Sequence, residues 1–525
     1  MAQALFGSSR LQPESALGPC AFAAVAAVAA MARGGWCALL CLQLARAAQH
    51  EPSAACDVAA VGGGWAGVYF AYRMAEAGSQ VCLFEATDRI GGRTFSHTLE
   101  AGRRRERFTL DVGAYRFTPD MHLPGDVILK VLRLPTACYE PDCEPAGKDF
   151  PPPFMFNYTA PLRRIVDAEG MPAGYVTAIE GLVEEIKARG GKVFMDARLV
   201  DLEPAANVTK LVFANFTVAA KQVLLNLPRQ SLLGLPSLAA ATPRRTAKMQ
   251  ACVKFDMPPE LFPGGLFKGK SLSKAYAFYD DAWWHTRLNK TEGQWPENAF
   301  DPITTSQGVP IGIHFNDGPV RCEAPGKGCR GFLQVFYSIA DTGFFTSIRK
   351  DPEQPLGVVT PDADSEGRLS RVHAAVLEAL GPLFERAGVA PPAEAPSMLV
   401  VGVWDRTGHG QTAPTKVYYS TSSSLPGGPD PLERACGVPG LTEREYREAM
   451  LTPLGSPRVL AANNDWSALQ TERLFGDWAE ESLLQAERGL RLLGLPRPAW
   501  LDEGYYEKNV AQAAGGPGST AELVV

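Results

Sequence analysis

DVAAVGGGWAGVYFAYRMAEAGSQVCLFEATDRIGGR, running from Asp57 to Arg93, has the pattern of a strand, a glycine turn, a helix and a second strand. Val58 to Val61 is a short apolar run suited to a buried parallel strand. Gly62, Gly64 and Gly67 then take the three glycine positions of GxGxxG. The first permits a tight turn, the second lets backbone approach a pyrophosphate, and the third lets the new helix lie close to the sheet. The helix N-terminus presents free N–H groups and the positive end of its dipole to phosphates. Ala66 to Ala77 has no proline and stops at Gly78, a fitting terminus. Val81 to Phe84 reads as the second strand. Glu85 follows it, where a carboxylate accepts from a ribose 2′-OH and repels a 2′-phosphate. These 37 or so residues, taken together, predict a dinucleotide-binding unit.

At 525 residues, the chain is long enough for two or three packed modules. A hydrophobic content of 46%, with 21% charged residues, is that of a folded globular protein. A net charge of −6 gives no reason to expect nucleic acid, and the cluster Arg103, Arg104, Arg105 and Arg107 reads as a solvated loop. No Cys/His set has metal-ligand spacing, and neither GxSxG nor HExxH occurs, which argues against a metal centre or a serine hydrolase.

Cys20 to Ala48 carries only Arg33 and Arg46 and is rich in Ala, Val and Leu, as membrane-targeting segments are. Residues 1–50 therefore read as a signal peptide, with Ala45-Arg46-Ala47 as its cleavage site, or as an uncleaved signal anchor, which alone would bring the chain to a membrane. Sequons at Asn157, Asn207, Asn215 and Asn289 agree with the secretory pathway, so a secreted or periplasmic location is expected. The pairs Cys138 with Cys143 and Cys322 with Cys329 suit small disulfide-closed loops. Cys82, inside a core strand, reads as a buried free thiol.

Beyond Arg93, FTLDVGAYRF (Phe108 to Phe117) predicts a strand that turns at Gly113 beside a ligand. Residues 119–161 read as irregular, Val176 to Ala188 as a helix and Lys192 to Met195 as a strand. Leu211 to Phe213, Phe216 to Val218 and Val223 to Leu225 read as three short strands, and Lys248 to Met257 as another β region. The aromatic density from Tyr276 to Tyr337 suits either a core or a cage around a substrate. Leu369 to Arg386 is an amphipathic helix, Met398 to Trp404 a strand, Val459 to Trp466 a strand entering a polar turn, and Trp478 to Leu493 a last helix. The tail from 511 reads as disordered.

With Glu85 followed by Asp88-Arg89-Ile90-Gly91-Gly92-Arg93, the chain resembles the flavin-containing amine oxidases, most of all the L-amino-acid oxidases. The resemblance is close over the first motif and weaker over the remainder. It implies an α/β fold with a discontinuous Rossmann-like FAD-binding domain (55–118, 191–245 and 456–510), a helical insertion at 119–190, a mixed-sheet substrate domain at 246–455 and a tail at 511–525. It implies FAD held by Gly62, Gly64, Gly67, Glu85 and Arg93. Where many relatives have Gly-Glu after the closing strand, this chain has Asn463-Asn464-Asp465-Trp466, so the ribitol contact passes to Asn464 or shifts to Asp465. Trp478 stands at the start of the helix beside the flavin.

The resemblance also implies site roles. Arg116 matches the arginine that clamps a substrate carboxylate, and is otherwise structural or an FAD contact. Lys254 falls where relatives keep a lysine that holds a water near flavin N5, and is otherwise a surface-strand lysine. Trp404 matches an aromatic wall of the substrate site, or is core. The function implied is oxidation of L-amino acids by hydride transfer from Cα to flavin N5, with O2 reoxidising the cofactor and an oxo acid, ammonia and H2O2 as products. The alternatives are a polyamine or monoamine oxidase of the same fold, or a flavoprotein that is no oxidase.

Overall fold

The computed structural model describes residues 56–139, 162–205, 207–250, 268–270, 272–299, 301–338, 342–351, 354–404, 418–420, 436–466 and 479–511. Lys254, Trp478, Asn157, Cys143, the leader and the tail beyond Ala511 lie outside them; Ala511, expected to open the disordered tail, is buried and closes a helical turn, Glu507–Ala511.

The opening motif folds as its pattern predicts. Strand β1 (Cys56–Val61) leads through the glycine turn into helix α1 (Trp65–Glu76), which returns to β2 (Val81–Phe84). Tyr69 and Phe70 of α1 are fully buried, and an apolar side chain of that size contributes about 2 to 3 kcal/mol when it leaves water. The hairpin β3 (Ser96–Ala101) and β4 (Glu106–Asp111) follows, and then α2 (Val176–Ala188), which packs on α1. Next come β5 (Lys192–Phe194), β6 (Leu199–Pro204), β7 (Thr209–Phe213) and β8 (Thr217–Leu225).

These strands build the first sheet in the order β5-β2-β1-β8-β7-β6. β5, β2, β1 and β8 run parallel, and β7 and β6 are antiparallel. The two short runs expected at 216–218 and 223–225 are one nine-residue strand. Its first half pairs with β7 and its second half with a strand from the C-terminal part of the chain. Ala219 to Gln222, between the two expected runs, are carried through because the β7 pairing reaches Ala220 and the β1 pairing runs from Ala220 to Leu225. Residues 244–250 are helical where a β region was expected from Lys248.

The second sheet is antiparallel and centres on β9 (Leu272–Tyr279), flanked by β10 (Arg330–Ser338). After helix α3 (Arg368–Ala387) comes β11 (Met398–Trp404), which lies along the other edge of β9. Short strands at 294–295, 313–314, 320–321 and 356–359 extend it. Tyr276, Phe278, Tyr279, Trp283, Trp284, Phe315, Phe332 and Phe336 are buried, so most of the aromatic density is core. Finally β12 (Val459–Ala461) joins β8 in the first sheet, and α4 (Ala479–Leu492) covers α1.

One chain segment ties the sheets together. Phe108 of β4 meets Phe278 and Phe332 edge-on at 5.5 and 5.6 Å, so the β3–β4 hairpin lies on the second sheet although it leaves from the first.

Cys82 is not a free thiol: it is bonded to Cys56 across β1 and β2, with Cα atoms 5.9 Å apart. The two positions meet because the strands are parallel neighbours, a relation that residue spacing does not reveal. Cys322 and Cys329 are bonded as expected. Cys138 is also disulfide-bonded. Among the described residues no helix is long and apolar enough to cross a membrane.

Candidate functional site

A cavity runs from the glycine turn of the first sheet to the face of the second. Its first end is built by backbone. Gly62 has φ +105°, and a Cβ there would sit 2.2 Å from Asn226 O. A Cβ on Gly67 would lie 2.0 Å from Gly62 O, so only glycine lets α1 start this close to β1. Gly67 therefore stands behind the wall, whereas Gly62 and Gly64 border the cavity. Asn226, at the end of β8, donates from Nδ2 to Gly62 O at 3.1 Å and braces the turn.

Glu85 sits at the end of β2 on the cavity wall. Its Oε2 accepts from Gly63 N–H at 2.8 Å, and its Oε1 from Thr87 N–H and Oγ1 at 2.9 and 2.8 Å. Both oxygens are thus oriented; Oε1 is filled by its two donors, and Oε2 keeps a lone pair for a ribose hydroxyl. The second glycine pair is pinned to the first by Gly91 N–H donating to Gly63 O at 2.9 Å. Together these residues fit a dinucleotide.

Arg93 borders the middle of the cavity, and the unusual closing motif holds it there. Its Nη2 donates to Asn464 Oδ1 at 2.7 Å and its Nη1 pairs with Asp465 Oδ1 at 2.7 Å. Asn463 and Asn464 line the cavity; Asp465 is buried behind them and accepts from Arg229 N–H at 3.0 Å. The amide faces the ligand and the acid anchors the arginine.

The far end comes from the segment after β4. Gly113 N–H donates to Phe95 O at 3.0 Å and Ala114 N–H to Arg93 O at 3.1 Å, which lays Tyr115 and Arg116 against the second sheet. The Arg116 guanidinium lies over the rings of Tyr115 and Tyr139, 4.5 and 4.7 Å from their centroids. Trp404, at the end of β11, borders the cavity and donates its indole N–H to Val112 O at 2.8 Å.

Lys274, in the middle of β9, is a site residue the sequence analysis missed. It is 1% exposed, borders the cavity, and donates from Nζ to Gly113 O at 2.6 Å and Asp111 O at 3.2 Å. Its Nζ lies 3.5 Å from the Tyr115 ring centroid and 4.8 Å from that of Tyr337. Burial pushes its pKa down to about 7, against the pull of Asp317 and Asp111. Burial likewise raises Asp111 to about 6 and lowers His314 to about 4. The signal for Lys274 lay in LSKAYAFY itself, a strand whose one charge is this lysine. Tyr337 is the member of the aromatic cluster that reaches the cavity.

Residues 61–123 match the family model described as a NAD(P)-binding Rossmann-like domain. This part of the chain is a Rossmann-like dinucleotide-binding domain. That domain carries Gly62, Gly64, Gly67, Glu85, Arg93 and Arg116, so it supplies both ends of the cavity. The search of curated proteins found no match. Among solved structures, the chain overlaps putrescine oxidase bound to putrescine with a TM-score of 0.47 at 15% identity, covering 84% of this chain and 100% of that one. A triple mutant of putrescine oxidase gives 0.48 at 15% identity, covering 84% and 99%. At that degree of likeness the overlap speaks to neither substrate nor chemistry.

Proposed function

We propose that this chain is an FAD-dependent oxidase of L-amino acids. The observation that carries the reading is Arg116 beside Lys274 at the end of the cavity whose other end holds Glu85. The Arg116 guanidinium, lying over the adjacent rings of Tyr115 and Tyr139 at the cavity wall, is a planar cation, and a substrate carboxylate is its natural partner. The Glu85 carboxylate and the glycine turn take an adenosine diphosphate. Arg93 and Asn464 stand where the chain of a longer dinucleotide would cross toward the second sheet.

Lys274 takes the place in this scheme that Lys254 was expected to fill. Near neutral pH its amine accepts the proton of the substrate ammonium, leaving the neutral amine from which two electrons can depart. Trp404, Tyr115 and Tyr337 wall the reacting carbon away from water. FAD, when bound, supplies the two-electron acceptor that O2 reoxidises, giving H2O2. The amino acid loses two electrons and two protons to become an imino acid, and water converts that to an oxo acid and ammonia.

A second reading has one observation in its favour: the aromatic faces of Tyr115, Tyr337 and Trp404 also suit a cationic amine. Arg116 and Lys274 on the same wall oppose it. An anaerobic screen of amino acids, monoamines and polyamines, read as bleaching of flavin absorbance, separates the two. Amino acids are expected to bleach it, and Arg116→Ala to raise their KM about 10- to 100-fold, the loss of a charge-assisted pair. Bleaching by amines alone, or an unchanged Arg116→Ala enzyme, overturns the proposal. We further propose passage through the secretory pathway. The bonded Cys56–Cys82 and Cys322–Cys329 pairs and the exposed sequon residues Asn207, Asn215 and Asn289 support it.

A further inference from the structure

Behind the cationic end of the cavity lies an acid that the proposed chemistry does not use. Asp317 follows the short strand 313–314; its side chain is 1% exposed and stands outside the cavity wall. The Tyr139 hydroxyl donates to Oδ1, and Asn316 Nδ2 donates to the Tyr139 carbonyl at 3.0 Å. Oδ2 has no hydrogen-bond donor among the described residues, and His314 Nδ1 is 4.0 Å from it. A buried carboxylate held this way needs cations nearby.

Two stand in front of it. Tyr139, bonded to the acid, lies over Arg116; Tyr115, packed edge-on against Tyr139 at 6.0 Å, lies over both Arg116 and the Lys274 Nζ; Tyr337 lies between Lys274 and His314, whose ring is 5.7 Å away. Lys274 is thus faced by Asp111, Tyr115 and Arg116 from the 111–116 segment, by Tyr337 from β10, and by His314 and Asp317 from the 313–317 loop. β11 places only Gly402 opposite it.

We propose that Asp317 is a positioning residue that acts as the shared counter-charge of Arg116 and Lys274, allowing two cations to sit side by side at the substrate end. It touches no substrate; it sets the pH at which Lys274 gives up its proton. This rests on the oxidase reading for its purpose, but its test does not need a substrate.

The test compares holoenzymes of the parent, Asp317→Asn, Asp317→Ser, Asp317→Glu and Tyr139→Phe. The visible absorption of the bound flavin is titrated with pH in the absence of substrate, and the pH profile of anaerobic flavin reduction is measured beside it. Losing the acid removes a field that holds the Lys274 ammonium, so Lys274 stays neutral to lower pH. In Asp317→Asn and Asp317→Ser, the transition assigned to Lys274 and the acid limb of the rate are expected to move down together by about half a unit or more. Asp317→Glu keeps the charge and is expected to restore the parental value. Tyr139→Phe removes the hydrogen bond but keeps the charge, and is expected to move the limb little. Neutral variants that do not fold, beside a folded Asp317→Glu with the parental limb, support the same requirement for charge. A limb unmoved in a folded neutral variant, or failure of all three Asp317 variants to bind flavin, overturns the proposal. If no amino acid reduces the flavin, the oxidase reading fails while the substrate-free titration still decides the role of Asp317.

Discussion

Lys274 is held in two ways that oppose each other. Burial, and to a lesser extent the neighbouring Arg116, favour the neutral amine, while the charges of Asp317 and Asp111 favour the ammonium. The balance puts its pKa near 7, where a small change of pH changes its charge. Because the proposed chemistry needs the neutral form, kcat is expected to rise as pH climbs through about 7 and then level off. Lys274→Met removes that limb and slows flavin reduction by about 10²- to 10⁴-fold, the range for a lost general base. Stopped-flow reduction from pH 5.5 to 9 measures both; a Lys274→Met enzyme that keeps the limb assigns it to another group. Asp465 shows the same economy of placement: it never meets the cavity, yet it holds the arginine that does.

At the level of elements, α1 and α4, which pack against each other, are locked by a buried ion pair. Arg73 of α1 donates from Nη1 to Glu487 of α4 at 2.8 Å, Tyr69 donates to the same oxygen at 2.7 Å, and Arg73 Nη2 reaches Pro496 O at 2.9 Å. Glu487 is 0% exposed and Arg73 3%. Removing one partner strands the other charge in the core. Glu487→Ala is therefore expected to cost about 3 to 5 kcal/mol in urea unfolding. It is also expected to weaken flavin binding, since Ala479 and Ser482 at the start of α4 border the cavity. A loss below about 1 kcal/mol would mean the helices are held by apolar packing alone.

Over the whole molecule, the cavity is bounded by both sheets, so a ligand that fills it adds contacts only the folded chain can offer. FAD at 100 times its Kd is expected to stabilise the apoprotein by about 2.7 kcal/mol, read as a rise in Tm. NADP+ is expected to give no rise, because its 2′-phosphate meets the Glu85 carboxylate. A rise with NADP+ equal to that with FAD would displace the flavin reading. The β3–β4 hairpin is the device that makes one cavity of two sheets. It leaves β2 through Arg93 and packs Phe108 on Phe278 and Phe332, and so delivers Arg116 to the second sheet.

What could be read along the chain is what local chemistry dictates. The glycine turn, the helix that follows, Glu85 at its strand end and the helix at 176–188 each depend on neighbours a few residues away, and each stands where its pattern put it. Arg116 and Trp404 were legible as candidates through motif, and both border the cavity. Other features were settled by partners far along the chain. Cys56 meets Cys82 because two strands are parallel neighbours, β8 is continuous because its pairing with β7 hands over to β1 at Ala220, and Asp465 is needed because Arg93 lies 2.7 Å away. Lys274 had a local signal, a lone charge in an apolar strand. Only the crossing of the hairpin over β9 turned that charge toward the cavity and set it between an acid and an arginine. Local chemistry acts over a few bonds and is written in order; the charge of a buried group depends on everything packed around it, and that is decided only when the chain has folded.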